Sequence, residues 1–251
     1  MSFYDLDKDE RIKLVDKINQ QILSELISSK SKFIITYFSD EDTYIRKTGY
    51  LAIGKIYKTH KDLQSKILKL LEILFRSGDE KIRQTIINAA GEIGKADFKP
   101  IEKLMEKGLF DEHHSVRNAV IGSIKKMSEK NPKPTLAFAK QFLHHEDKEI
   151  RREICHGIEL RGRTHPQDIL PMLKELQFDK TARVRNTLVH VIGQIAYKKG
   201  CLKTVISDLR SWKNKELVAD AIEEIIDVHD RYKDFAIKTQ EEAIKYIEEN
   251  Y

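Results

Sequence analysis

Residues 79–94, DEKIRQTIINAAGEIG, contain the pattern that decides the fold. Asp79 stands four positions before an arginine, Arg83, and aspartate is a favoured N-cap of α-helices. Apolar or small residues then recur three, six, seven and ten positions after the arginine, which is the spacing of a helix with one buried face. The segment is therefore predicted to be a helix that begins near Asp79 and packs one side into a core.

The same pattern recurs along most of the chain. An aliphatic residue followed by arginine occurs five times, with the arginines 37, 34, 34 and 34 residues apart, at Arg46, Arg83, Arg117, Arg151 and Arg185. A sixth copy, Leu217-Val218, lacks the arginine. The predicted helix starts, all good N-caps except the histidine, are Asp42, Asp79, His113, Asp147, Thr181 and Asn214. A period of this length indicates stacked helical units that bury a shared core.

A shorter apolar helix is predicted ahead of each of these helices. The chain is therefore expected to be an all-α superhelix of about six helix pairs. The pairs are expected at about 31–60, 61–96, 97–131, 132–164, 165–199 and 200–231. Because the ends of a stacked array must present a polar outer face, capping helices are expected in 1–30 and 232–251.

The opening D-x-x-[IV]-R of residues 79–94, followed by small and apolar residues at helical spacing, resembles the HEAT repeat. The resemblance extends over nearly all of residues 31–231. It implies a solenoid in which the second helix of each pair lines a concave face. It is more specific for fold than for function, because HEAT arrays serve as scaffolds, regulators, nucleic-acid binders and occasionally enzymes.

The charges are unevenly distributed along the chain. The net charge is +5, yet residues 111–200 hold 17 Lys/Arg against 11 Asp/Glu, a net of +6, together with seven of the nine histidines. Residues 201–251 hold 8 against 12, a net of −4. No apolar run is long enough for a membrane helix, and acids stand where a signal peptide would be basic. A cytoplasmic protein without a membrane partner is expected.

The repeated arginines are predicted to be structural, since a residue that recurs in every repeat usually does the same work in each. Arg46, Arg83 and Arg151 are expected to pair with the capping acids of their own repeats or with acids of neighbouring repeats. Arg117 and Arg185 lack an acid at the same offset and are the expected exceptions. Cys155 and Cys201 fit no zinc spacing and are predicted to be reduced and buried.

Candidate functional residues are those that differ between repeats on the predicted concave face. Positions one, four or five, and eight after each arginine should point outward, and these become basic and histidine-rich from the third repeat to the fifth. Arginine and lysine neutralise phosphates, while amides and imidazoles donate hydrogen bonds. The predicted nucleic-acid-binding residues are Lys47, Asn118, Lys125, Arg152, His156, Arg161, Arg163, Arg183, Asn186 and His190. The opposing interpretation is that they form an ordinary solvated helix surface.

Three functions remain open at this point. The first is a binding module whose basic groove engages DNA or another nucleic acid without catalysis, with an acidic protein as the other anionic partner. The second follows from an architectural resemblance to the alkylpurine DNA glycosylases, which use groove tryptophans and an essential aspartate. The chain has one tryptophan, Trp212, and no Trp-x-x-x-Asp pattern in the groove helices. The third is a protein–protein scaffold.

No catalytic residues, metal ligands or cofactor are predicted from the sequence. His113-His114 and His144-His145 fall at turns and are interpreted as an exposed histidine row. His156 and Glu159 are three residues apart and could form an acid/base pair, but no nucleophile is predicted beside them. Whether the histidines of residues 113–190 form a pH-sensitive surface is left open by the sequence.

Overall fold

The structure, a computed structural model, describes residues 3–251, and every regular element within that range is a helix. The predicted all-α class is confirmed. Residues 1 and 2 of the predicted capping segment lie outside the described residues. The helices group into two compact units, which divide between Asn131 and Pro132. Across the described range, no helix combines the length and apolar character that a membrane span needs.

In the first unit, one long helix precedes three pairs, each with a shorter first helix and a longer second helix. The helices are α1 Lys8–Ser28, α2 Lys32–Phe38, α3 Thr43–Thr59, α4 Gln64–Leu74, α5 Glu80–Gly94, α6 Glu102–Leu109 and α7 His114–Lys130. Short 3-10 turns lie ahead of α1, α4 and α6, at Phe3–Asp5, Lys61–Leu63 and Lys99–Ile101. The second helices α3, α5 and α7 pack side by side, and each first helix packs on the second helix of its pair.

The second unit repeats this arrangement. Its helices are α8 Pro132–Phe142, α9 Lys148–Gly157, α10 Glu159–Gly162, α11 Pro166–Glu175, α12 Ala182–Ala196, α13 Cys201–Leu209, α14 Lys215–Arg231 and α15 Gln240–Asn250. Only Ile158 separates α9 from α10, so the two together act as one second helix. α12 packs between α9 and α14, and α15 packs on α13 and α14.

All six predicted starts of the second helices are confirmed, but two of the caps differ from expectation. His113 caps α7, because its ring nitrogen Nδ1 accepts from the amide of Ser115 at 3.4 Å. Thr181 precedes α12, and within the described chain its side chain makes no capping hydrogen bond. Its hydroxyl instead accepts from Arg151 at 3.3 Å. Tertiary contact thus overrides the capping preference of threonine.

The five repeated arginines share one contact. Each donates through Nη1 to the backbone carbonyl six residues earlier, in the turn between the two helices of its pair. The accepting carbonyls belong to Asp40, Ser77, Asp111, His145 and Asp179. Arg117 and Arg185, the expected exceptions, therefore share the role of the others. The repeated arginine fixes the turn geometry, which explains its regular recurrence.

Two of these arginines pair with an acid of the following helix pair. Arg83 binds Asp111 at 2.8 Å, and Arg151 binds Asp179 at 2.6 Å. The predicted pairing with capping acids of the same repeat is wrong for both arginines, while pairing with an acid of a neighbouring repeat is correct. The capping acids are engaged elsewhere, because each accepts an amide of its own helix.

The core consists mainly of aliphatic side chains from the inner faces of both helix layers. Trp212 is also buried, in the turn after α13, and its indole N–H donates to Asp208 at 2.7 Å. Cys155 and Cys201 are free and buried, as predicted. Burial raises the pKa of both thiols, so neither is a reactive thiolate.

Glycine allows close approach of neighbouring second helices. A Cβ atom on Gly91 would lie 2.4 Å from the hydroxyl oxygen of Ser123 on α7. A Cβ on Gly193 would lie 2.6 Å from the Cγ of Glu224 on α14. A larger residue at either position would force the facing side chain to move, so the glycines allow the second helices to pack at this distance.

Candidate functional site: the exposed face of the second helices

In the first unit, a cavity of about 300 Å³ lies on the exposed side of α3 and α5. Its lining is cationic, aromatic and amide-bearing, with Arg46, Lys47, Tyr50, Gln84 and Asn88 among its residues. No carboxylate belongs to this lining, although Arg46 is already engaged by backbone carbonyls. The predicted residue Lys47 is exposed at this cavity and available to a ligand.

Beside the cavity, two lysines converge on one carboxylate. Lys95 pairs with Glu92, and the Nζ of Lys126 lies 3.8 Å from Glu92 and 5.5 Å from the ring centre of Tyr50. Burial lowers the pKa of Lys126; Glu92 opposes this effect, and the charges of Lys95 and Lys47 add to it. We call Lys47, Tyr50, Glu92, Lys95 and Lys126 the lysine surface. Its three lysines outnumber its single carboxylate, and the ammonium group of Lys126 is partly buried.

Lys126 was missed by the sequence analysis, although a signal was present. It stands nine positions after Arg117, whereas the positions predicted to point outward ended at the eighth residue after each arginine. The fifth position after the arginine was predicted to point outward. The ninth position lies four residues further on and shares that helix face, because residues i and i+4 lie on the same side of a helix. Of the predicted residues on α7, Asn118 is exposed and Lys125 is half-buried.

In the second unit, the predicted arginines meet acids. Glu149 accepts from Arg152 at 2.9 Å and from Arg183, on the neighbouring helix α12, at 2.9 Å. Arg152 also lies 3.7 Å from Glu153. Much of the positive charge counted along residues 111–200 is thereby neutralised locally. The sequence total did not reveal this, because Arg183 and Glu149 lie 34 residues apart.

Arg161 is not brought to the same surface as Arg152. Its guanidinium binds Asp168 in the first turn of α11 at 2.6 Å, and thus joins the second helix of the pair to the following first helix. This contact assigns Arg161 a structural role.

His156, Glu159 and His190 form a compact group, which we call the histidine cluster. One ligating atom from each lies within 4.8 Å of the other two. The Nε2 of His156 is 3.1 Å from Glu159, and the two imidazole rings are 6.2 Å apart, edge to face. Glu159 was expected to point outward, but only 1% of its side chain is exposed. Stacking of α12 on α9 and α10 brings the cluster together.

Two further side chains hold the buried carboxylate of Glu159 in place. Arg163 donates to Glu159, and also to the side-chain oxygen of Gln194 at 2.7 Å. This is where the structure places the predicted residue Arg163. The positive charge of Arg163 compensates the buried carboxylate of Glu159, because a buried charge is tolerated only when it is paired.

The other side of the histidine cluster is acidic. A cavity of about 590 Å³ between α12 and α14 is lined by the predicted residues Asn186 and His190, by Arg231 and by four carboxylates of α14. The carboxylates belong to Asp220, Glu223, Glu224 and Asp227. The acidic C-terminal stretch seen in the sequence therefore faces the last two predicted binding residues. Taken by itself, the second unit presents mixed charge.

These features define a helical-repeat protein of the HEAT-like class, with a polar exposed face on its second helices. No protein-family model matches the chain, and no curated protein matches it. Among solved structures, it is similar to AlkD2 from Streptococcus mutans, with a TM-score of 0.57 and 16% identity over 81% of this chain and 97% of that one. It is also similar to smu.31 from Streptococcus mutans UA159, with a TM-score of 0.50 and 14% identity over 83% and 97%.

An archaeal HEAT-like repeats protein from Thermococcus onnurineus NA1 matches with a TM-score of 0.39 and 13% identity, covering 85% of this chain and 97% of that chain. At these identities the likenesses to the two Streptococcus mutans structures concern the fold. Function has to be argued from the side chains of this chain.

Proposed function

We propose that this protein is a non-catalytic binding module that engages the phosphate backbone of nucleic acid through the lysine surface of its first unit. The observation that carries the proposal is that Lys95 and Lys126 share the single carboxylate of Glu92, while the charge of Lys47 also acts on Lys126. An anion at this surface would offset the uncompensated charge and the partial desolvation of Lys126.

The chemistry of the surface suits a polyanion. Lysines lie on or at the end of α3, α5 and α7, so successive packed helices each present a cation to a ligand whose charges also repeat. Gln84 and Asn88 add amide donors at the cavity, and Tyr50 adds an aromatic ring. Lysine and amide side chains contact phosphate oxygens without reading base sequence, so binding without strong sequence preference is expected.

This proposal moves the main contact away from the arginines favoured by the sequence. Arg152 and Arg183 share Glu149, Arg161 binds Asp168, and Arg163 binds Glu159. A phosphate would have to compete with these acids for each guanidinium. Lys47, Asn118 and Lys125 remain proposed contacts, with Lys126 added to them.

Salt-dependent binding of a labelled oligonucleotide duplex, measured by fluorescence anisotropy, tests the proposal. Wild-type affinity should fall with rising salt, and the double variant K47Q/K126Q should bind more weakly, with a log–log salt slope shallower by about 2, or about 1 per lysine. The matched control is K69Q/K103Q, which removes two exposed lysines from first helices of the same unit. Undetectable binding at low salt, or an equal loss in the control, would contradict the proposal.

A separate measurement decides whether the module is catalytic. Wild-type protein is incubated with alkylated DNA, and released purines are quantified by chromatography. Release at the uncatalysed rate is the expected result. Faster release would replace the non-catalytic proposal with the glycosylase alternative. Recovery of a protein partner whose binding does not respond to salt would instead favour the scaffold alternative.

A further inference from the structure

The histidine cluster has the donor atoms of a metal site. Two imidazoles and one carboxylate suit Zn²⁺ and similar first-row divalent ions, whereas Mg²⁺ and Ca²⁺ prefer oxygen ligands. His156 and Glu159 come from one second helix, and His190 comes from the next. The three ligating atoms lie within 4.8 Å of one another. In a zinc site with bonds of about 2.1 Å, the ligating atoms lie closer together than this. Binding would require the two partly exposed imidazoles to rotate towards the ion.

Side chains around the cluster resemble the outer shell of a metal site. Metal-binding histidines commonly direct their second ring nitrogen to a carboxylate, which fixes the ring orientation. The Nδ1 of His190 lies 3.4 Å from the Oε1 of Glu224, which leaves its Nε2 for an ion. Arg163 holds one oxygen of Glu159, while the other oxygen lies towards His156. The first contact orients the ring of His190, and the second fixes the carboxylate of Glu159 beside His156.

A second observation is that the polar groups beside Glu159 are incompletely satisfied. The Nε of Arg163 and the Nε2 of Gln194 are buried and have no hydrogen-bond partner among the described residues. Buried donors normally have an acceptor, and leaving one without a partner costs about 1–3 kcal/mol. Arg163 contacts both Glu159 and Gln194, so a group that the protein does not supply, such as water on a bound ion, would complete the site.

We propose that His156, Glu159 and His190 bind a zinc-class divalent cation that joins α9 and α10 to α12. With three protein ligands, the ion keeps an open coordination position. The side chains of His156 and His190 are 33% and 43% exposed, so the ion can enter from solvent. The site is separate from the lysine surface, and its existence does not depend on nucleic-acid binding.

Cobalt and zinc titration of chelator-treated full-length protein tests the site. Wild type should take up one equivalent of Co²⁺, with visible absorption bands that Zn²⁺ abolishes. H190A is the main variant, because His190 is partly exposed and its replacement leaves Glu159 and Arg163 in place. It should bind Zn²⁺ more than about 100-fold more weakly, since loss of an outer-shell partner alone typically costs about 10–100-fold. E224Q should fall within that smaller range.

The matched control is H144A, which removes another exposed imidazole of the second unit that is likewise hydrogen-bonded to a glutamate. It should bind like wild type. If wild type takes up no stoichiometric Co²⁺, or if H144A weakens binding as much as H190A does, the proposed site is wrong. Circular dichroism of each variant distinguishes loss of a ligand from loss of fold, and H156A provides an independent second variant.

Discussion

Arg83 donates two hydrogen bonds to Asp111, from Nε at 2.8 Å and from Nη2 at 3.0 Å. The side chains are only 9% and 6% exposed, and the residues belong to successive helix pairs. The acid in turn accepts the amide of His113, the cap of α7. One carboxylate therefore ties together a repeated arginine, an inter-helix turn and the start of the next second helix.

Replacing that carboxylate should destabilise the first unit. Asp111→Asn leaves the buried guanidinium of Arg83 with only the exposed carboxylate of Glu112, 3.6 Å away, and breaking a buried pair in this way costs about 3–5 kcal/mol. Urea denaturation followed by circular dichroism measures the loss. The neighbouring Glu112 is almost fully exposed, so E112Q should change stability by no more than about 0.5 kcal/mol. Equal effects of the two variants would contradict this account.

Stability should also fall in acid. Burial alone would raise the pKa values of Asp111 and Asp179, but hydrogen bonds from Arg83 and Arg151, and from the amides of His113 and Thr181, outweigh it and hold both below their usual value. A carboxyl group with a lowered folded-state pKa contributes stability above its unfolded pKa, about 3.9, and loses it as pH falls through the folded value.

The pH dependence can be measured as the urea midpoint between pH 7 and pH 2. Wild type should lose stability progressively below about pH 4 to 5. The double variant D111N/D179N should start from a lower stability and show a weaker dependence over the same range. An unchanged acid dependence in this variant would show that other carboxyl groups are responsible.

Two helical glycines should respond oppositely to alanine. At Gly91 the new Cβ would meet the side chain of Ser123 at 2.4 Å and its Cα at 3.3 Å, whereas at Gly122 no atom lies within 4 Å. G91A should therefore destabilise the protein by about 1–3 kcal/mol through overpacking. G122A should stabilise it by up to about 1 kcal/mol, because alanine favours the helix. Thermal denaturation of both variants provides the comparison, and a gain in stability for G91A would be inconsistent with the close helix packing.

Glu149 should limit nucleic-acid binding by the second unit, if the proposed function is correct. E149Q removes the carboxylate shared by Arg152 and Arg183, which frees Arg183 for phosphate and leaves Arg152 with only the longer contact to Glu153. Affinity should rise, and the log–log salt slope should steepen by about 1 for each arginine that gains a phosphate contact. E146Q, at an exposed turn position, makes the same change in net charge. If E146Q increases binding equally, the effect comes from net charge alone.

The fold could be predicted from the sequence because its signals are local and repeated. The starts of the second helices follow from residues four positions before each repeated site, and the apolar spacing identifies the buried face. The partners of the arginines could not be predicted, because an arginine is flexible enough to reach acids of its own or of the next helix pair. The burial of Glu159 also escaped prediction, since it depends on contacts with Arg163 and His156.

The sequence by itself determined the repeat, the helix starts, the all-α class and the structural role of the recurring arginines. Each of these depends on residues within about one helical turn, or on the same residue recurring at a fixed spacing. Only the tertiary structure decided which charges remain available for a ligand. Lys126 meets Glu92, and His156 meets His190, across 34 residues of chain, because packing of second helices brings them together. Charge neutralisation acts through space, so a count along the chain located the positive charge but not where it remains unpaired.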